Sequence, residues 1–146
     1  MGLSGIWYNQ LGSQMELKIA KGQISGTYIS AVGVAKGQKY NLVGLTDTDE
    51  DPGQRNIGFV VSWENDNGSL DCVTTWSGEV QEHDGAERIV TTWLLTVEWS
   101  PGQQWKSTLV GQDIFTRHKP TPAPRSSSSS EPIHDMRPKK EKASDK

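Results

Sequence analysis

The spacing of turn signals constrains this chain more than any other feature. Leu11-Gly12-Ser13, Lys21-Gly22, Lys36-Gly37, Asp51-Pro52-Gly53, Asn67-Gly68, Asp84-Gly85 and Pro101-Gly102 divide the first 120 residues into short intervals. The segments between them are rich in β-branched and aromatic residues and fall near 5–11, 14–20, 23–32, 39–46, 56–64, 70–80, 88–99 and 105–117. Such segments between such turns read as strands. Asn-Gly and Asp-Gly accept the positive φ of hairpin turns, so consecutive strands should pair antiparallel, as a meander. Left open, an eight-stranded meander exposes two edges, and closure removes both. The spacing therefore predicts an all-β protein, an eight-stranded antiparallel up-and-down β-barrel. The high counts of glycine (15) and tryptophan (6) beside an apolar fraction of only 33% suit this reading better than packed helices.

Alternation along each strand then predicts an inward face. It places Trp7 with Asn9, Met15 with Leu17 and Ile19, and Tyr28 with Ser30. The fifth strand adds Phe59, Val61 and Trp63, and the stretch DCVTTWSG (71–78) adds Cys72, Thr74 and Trp76. Ile89, Thr91, Trp93 and Leu95 follow, then Leu109, Gly111, Asp113 and Phe115. One end of this interior is apolar. The other gathers Asn9, Tyr28, Ser30, Thr74 and Asp113 among indoles, and a buried polar group without a partner costs about 1–3 kcal/mol. An eight-stranded barrel is wide enough inside for its own side chains or for one small ligand. The polar set is therefore either satisfied internally, with trapped water, or built around a ligand in a pocket at one end.

Several function classes are disfavoured. Residues 121–146 carry six Lys/Arg against four Asp/Glu, which leaves nine against fourteen, a net −5, for residues 1–120. An acidic body argues against a nucleic-acid partner. Cys72 is the sole cysteine and His83, His118 and His134 are scattered, so no metal-ligand spacing exists and no intrachain disulfide can form. No histidine shares the inward face with a nucleophile, and the chain reads as a binding protein rather than an enzyme. The sequence shows neither a secretion signal nor a run of membrane-spanning length, which predicts a soluble protein away from membranes and leaves a secreted or cytoplasmic location open. Residues 121–146 hold the Ser126–Ser130 run and a Pro- and Lys-rich end and should form a disordered tail, with the barrel domain at 1–120.

Five collinear segments identify a family. GIWYNQLGS (5–13), SGTYISAVG (25–33), TTWSG (74–78), TTWLL (91–95) and WKSTLVGQD (105–113) closely resemble the avidin and streptavidin family of biotin-binding proteins. The resemblance runs from residue 5 to about 120. It implies non-catalytic, high-affinity binding of biotin and biotinylated molecules, with biotin as a bound ligand and not a catalytic cofactor. By position, Asn9, Ser13 and Tyr28 match donors to the ureido oxygen, and Ser30 and Asp113 match acceptors for the two ureido N–H groups. Thr74 matches the hydroxyl that meets the thioether sulfur, and Trp63, Trp76, Trp93 and Leu95 match the walls around the ring. Trp105 matches a tryptophan contributed across a subunit contact, which implies a homo-oligomer with a tetramer favoured.

The chain departs from the streptavidin pattern in three places. Cys72 replaces a serine that contacts the carboxylate, Val34 replaces an asparagine in the loop after the third strand, and Phe59 replaces a tryptophan deeper in the barrel. A thiol donates far more weakly than a hydroxyl, so carboxylate recognition should be weakened. Trp99 matches no family role and reads as a loop residue. The alternative function is a carrier barrel for another small heterocycle or a lipid, and the number of convergent hydrogen-bonding side chains favours a polar heterocycle.

Overall fold

A computed structural model describes residues 2–32, 36–47, 55–64, 72–98, 102 and 107–121. Its strands are β1 (Gly5–Tyr8), β2 (Gln14–Ala20), β3 (Gln23–Ile29), β4 (Lys39–Thr46), β5 (Arg55–Ser62), β6 (Cys72–His83), β7 (Ala86–Val97) and β8 (Thr108–Thr116). Each pairs antiparallel with the next, and β8 returns to β1 to close the barrel. The eight-stranded meander expected from the turn spacing is therefore the fold. Two of its hairpins show why: Lys21-Gly22 has φ of 50° and 75°, and Asp84-Gly85 has φ of 51° and 77°. Two consecutive positive φ values give a tight turn whose twist matches that of its strands. The turn signals at 51–53 and 67–68, with Val34, Trp99, Pro101, Trp105 and everything beyond 121, lie outside the described residues.

Strand ends differ from the sequence expectation for local reasons. β1 stops at Tyr8 rather than near residue 11 because the Asn9 side chain captures the chain. Its Oδ1 accepts the Leu11 N–H at 3.0 Å and the Ser13 N–H at 2.9 Å, while Gly12, with φ of 87°, donates to Asn9 O at 3.0 Å. Such side-chain bonds compete directly with a ladder. β6 and β7 instead outrun their expected limits of 80 and 88. Gln81, Glu82, Glu87 and Arg88 give no apolar alternation, yet their backbones stay in register as Gln81↔Arg88 and Glu82↔Glu87 up to the hairpin.

The inward set read from alternation is the core. Trp7, Met15, Leu17, Tyr28, Val61, Trp63, Trp76, Ile89 and Phe115 are buried, while Ile19 and Leu109 pack against them only partly covered. β4, left unassigned by alternation, adds Tyr40 and Leu42. One end of the barrel is sealed by the segment before β1. Leu3 is buried there, Trp7 Nε1 donates to Leu3 O at 2.8 Å, and the Arg117 guanidinium lies 3.7 Å from the centre of the Trp7 ring. Arg117 also donates to the carbonyls of Gly2, Ser4 and Ile6 at 2.9, 3.2 and 3.3 Å. A cation held over an aromatic face and bonded to three carbonyls fixes that end. The opposite end, where β1, β3, β5 and β7 finish, holds the polar part of the interior.

Candidate functional site

Each polar side chain singled out in the sequence is buried toward that end. Asn9, Ser13, Tyr28, Ser30, Thr74 and Asp113 are all at most 1% exposed, which makes their hydrogen-bond polarity decisive. The loop after β1 sets the polarity of Asn9. Because Oδ1 is taken by two backbone N–H groups, the amide must present Nδ2 inward, where it meets the Tyr28 hydroxyl at 3.4 Å. Ser13 Oγ accepts the Ala31 N–H at 2.9 Å, so its own hydrogen points elsewhere. Asn9 Nδ2 and the hydroxyls of Ser13 and Tyr28 are thus placed as the donor side of the site.

Ser30 has the reverse polarity. Its hydroxyl donates to Val32 O at 2.8 Å, which spends its hydrogen, and its oxygen accepts the Val32 N–H at 3.3 Å, so toward the interior it can act as an acceptor. Thr74 Oγ1 accepts from Trp63 Nε1 at 2.7 Å and keeps a hydrogen to donate. Asp113 is fully buried, with Oδ2 receiving Trp76 Nε1 at 2.9 Å and Oδ1 receiving Gln10 Nε2 at 2.8 Å. Burial raises its pKa above the usual carboxylate value, and hydrogen bonds from Trp76, Gln10 and Asn9 oppose that shift. Thr91 Oγ1 supports the same residue by donating to Asp113 O at 2.9 Å.

Aromatic rings frame the polar set. Trp76 stacks on Phe59 with centroids 4.8 Å apart and planes 14° apart, and Tyr28 lies 5.3 Å from Trp76 and 5.4 Å from Trp63. Tyr40 meets Trp63 edge-on at 5.0 Å. Phe59, which stands where the family pattern has a tryptophan, therefore acts through packing, as the floor under Trp76. Cys72 opens β6 at the rim, 8% exposed and free of any disulfide, with Leu95 buried on β7. Of the twelve expected site residues, the eleven that are described are all buried inside the barrel, and Trp105 lies outside the described residues. Among the described residues no cluster of three His, Cys, Asp or Glu could hold a metal ion.

Trp93 occupies a special position on β7. Opposite it in register is Gly111, and a β-carbon at 111 would overlap Trp93 Cζ2 and Cε2, so the glycine lets the indole lie flat across β8. Trp93 Nε1 is the buried side-chain polar atom without a hydrogen-bond partner among the described residues. Gly111→Ala should displace this ring into the interior, since overpacking typically costs about 1–3 kcal/mol. A shifted tryptophan emission spectrum together with weaker ligand binding is expected; an unchanged spectrum and affinity would show that the wall tolerates the methyl group.

Two contributors escape alternation. Gln10 falls on the outward parity, yet its side chain reaches Asp113 through the gap where β1 ends. Tyr40 sits on the one strand whose inward face was not assigned. The residue types alone carried no signal for either, although the inward Asp113 in the WKSTLVGQD segment required buried donors from somewhere.

A family model described as the avidin family matches residues 1–118. The chain is 34% identical to avidin of Gallus gallus over 121 residues, covering 79% of this chain and 77% of that protein. It is 35% identical to afifavidin of Afifella pfennigii over 117 residues, 78% of this chain and 68% of that protein. A further match, 33% identical over 125 residues, covers 84% of this chain but only 11% of fibropellin-1 of Strongylocentrotus purpuratus.

Proposed function

The chain belongs to the avidin family, and from that membership and the polarity of its buried side chains we propose that it binds biotin without catalysis in the open end of the barrel. The observation that carries this reading is the sorting of donors from acceptors. Asn9 Nδ2 and the hydroxyls of Ser13 and Tyr28 are groups that donate, while the Ser30 oxygen and the Asp113 carboxylate are groups that accept. A urea is the complement of that set, with one oxygen that accepts and two N–H groups that donate. Three donors on one oxygen draw charge toward it in a site shielded from water. Trp63, Trp76, Trp93 and Leu95 bound the flat ring, and Thr74 donates to its thioether sulfur. Because the hydrogen bonds above fix these side chains before ligand arrives, little ordering entropy is lost on association.

Calorimetric titration tests the function directly. Biotin should bind at one site per chain with a negative heat-capacity change, and a long-chain fatty acid should give no heat. Binding of the fatty acid with no response to biotin would favour the lipid-carrier alternative.

At the rim, Cys72 weakens the grip on the valerate carboxylate, because its thiol is a poor donor. Cys72→Ser should slow release of free biotin by up to about tenfold, the worth of one modest hydrogen bond, and should leave release of a biotin amide unchanged. Equal off-rates for free biotin in parent and variant would remove Cys72 from carboxylate recognition.

The protein is further proposed to act as a homo-oligomer, with a tetramer favoured by family membership and Trp105 reaching into a neighbour's pocket. Support comes from apolar side chains on the outside of the barrel: Val43 and Leu45 on β4, Leu94 on β7 and Val110 on β8 are 48–67% exposed. Exposed apolar side chains in number mark contact surfaces. Native mass measurement in solution checks the subunit number.

A further inference from the structure

The seam between β1 and β8 is short. Backbone register joins these strands at Tyr8↔Thr116, after which the chain turns into the Asn9–Ser13 loop. A side chain makes the next rung. Gln10 Oε1 accepts the Ile114 N–H at 3.1 Å, and Gln10 Nε2 lies 3.4 Å from Gln112 O. Those are the two groups, one on each side of Asp113, that an adjacent antiparallel strand would use. The same Nε2 makes its shortest bond, 2.8 Å, to Asp113 Oδ1. The carboxamide cannot flip without losing its bond from Ile114, so an N–H always faces the carboxylate.

We propose that Gln10 is a positioning residue of the binding site: by bridging the β1–β8 seam and Asp113 with one carboxamide, it fixes the carboxylate that receives the ligand. The ligand's identity in this proposal rests on the biotin reading; the geometry does not. The side chains bonded to Asp113 are all neutral, namely Asn9 and Gln10 beside β1 and Trp76 on β6, and Thr91 on β7 bonds its backbone oxygen. With no cation among these partners, the loss of one N–H is felt by the carboxylate directly.

The test compares Gln10→Met, Gln10→Glu and Arg117→Gln in the full chain. Gln10→Met keeps length and removes all three hydrogen bonds of the carboxamide, so Asp113 should titrate at a higher pH in the ligand-free protein, followed by carboxyl ¹³C resonances. Biotin release should quicken about tenfold, as expected for one lost bond to a charged group, and the pH below which release accelerates should rise. Gln10→Glu keeps an oxygen for the Ile114 N–H but sets a second carboxyl beside the first. It should raise the titration of Asp113 further and release biotin fastest at neutral pH. Arg117→Gln loosens the sealed end and should lower thermal stability while leaving both the Asp113 titration and the pH profile of release at parent values. A parent-like Asp113 titration in the two Gln10 variants, or release no faster than in Arg117→Gln, overturns the proposal. Failure of the parent to bind biotin would overturn the ligand assignment alone, and the ligand-free titration would still decide the role of Gln10.

Discussion

Asp113→Ala should weaken biotin binding by about a hundredfold to a few thousandfold. A hydrogen bond to a charged group contributes about 1.5–3 kcal/mol, and a donor left buried without its partner costs about 1–3 kcal/mol. The alanine would remove the acceptor for the ligand and leave a ureido N–H buried without a partner in the complex, while the stranding of Trp76 Nε1, which now donates to Oδ2 at 2.9 Å, would lower stability with or without ligand. Together these amount to about 3–5 kcal/mol, where each 1.4 kcal/mol is a factor of ten. Off-rate measurement with a labelled biotin checks it, and a loss below tenfold would mean that Asp113 does not accept from the ligand.

The same residue should give binding and stability opposite pH dependences. Burial raises the folded-state pKa of Asp113 above its unfolded value. Between those two pKa values the folded protein holds a proton that the unfolded chain does not, so ligand-free stability falls as pH rises through that window. Above the folded pKa the carboxylate is charged, and this is the form that accepts strongly from the ureido N–H. Acidification should therefore loosen biotin while tightening the empty barrel. Asp113→Asn cannot titrate at this position, and should flatten both curves; thermal melts and off-rates across pH follow the two effects separately.

Trp76→Ala should lower stability by about 3–5 kcal/mol, the range for deleting a buried large aromatic. In a domain of this size that corresponds to a fall in melting temperature of about 10–20 °C. Trp76 is 1% exposed, stacked on Phe59 and in contact with Tyr28 and Trp63, so its removal opens a cavity that neighbouring rings cannot fill without leaving their rotamers. Trp76→Phe separates packing from hydrogen bonding. It keeps a ring over Phe59, should cost much less stability, and should raise the Asp113 pKa because the indole N–H is lost. Equal melting temperatures for Trp76→Ala and the parent would deny the residue its place in the core.

Strand alternation made nearly all of this interior legible, because parity is a local property: Cys72, Thr74 and Trp76 share a face whatever surrounds them. Alternation turns a thiol, a hydroxyl and an indole inward from DCVTTWSG (71–78), a mixture that no local pattern pairs. The structure resolves this by bonding Trp63 Nε1 to Thr74 Oγ1 and Trp76 Nε1 to Asp113, pairings between residues 11 and 37 apart in sequence. Alternation failed at the hairpin joining β6 and β7, where polar residues on both faces hide a continuing ladder. It failed again at the end of β1, where one asparagine side chain outcompeted the sheet.

The sequence by itself determined the number of strands, their order, and which side chains look inward, since turns such as Lys21-Gly22 and Asp84-Gly85 and the two-residue period depend only on neighbouring φ and ψ angles. Only the tertiary structure decided that the seam closes through Gln10, that Trp93 lies across Gly111, and which atom of each polar group is already spent. Gln10 and Asp113 stand 103 residues apart, and their meeting depends on the twist and register accumulated around all eight strands, a sum that no local pattern contains.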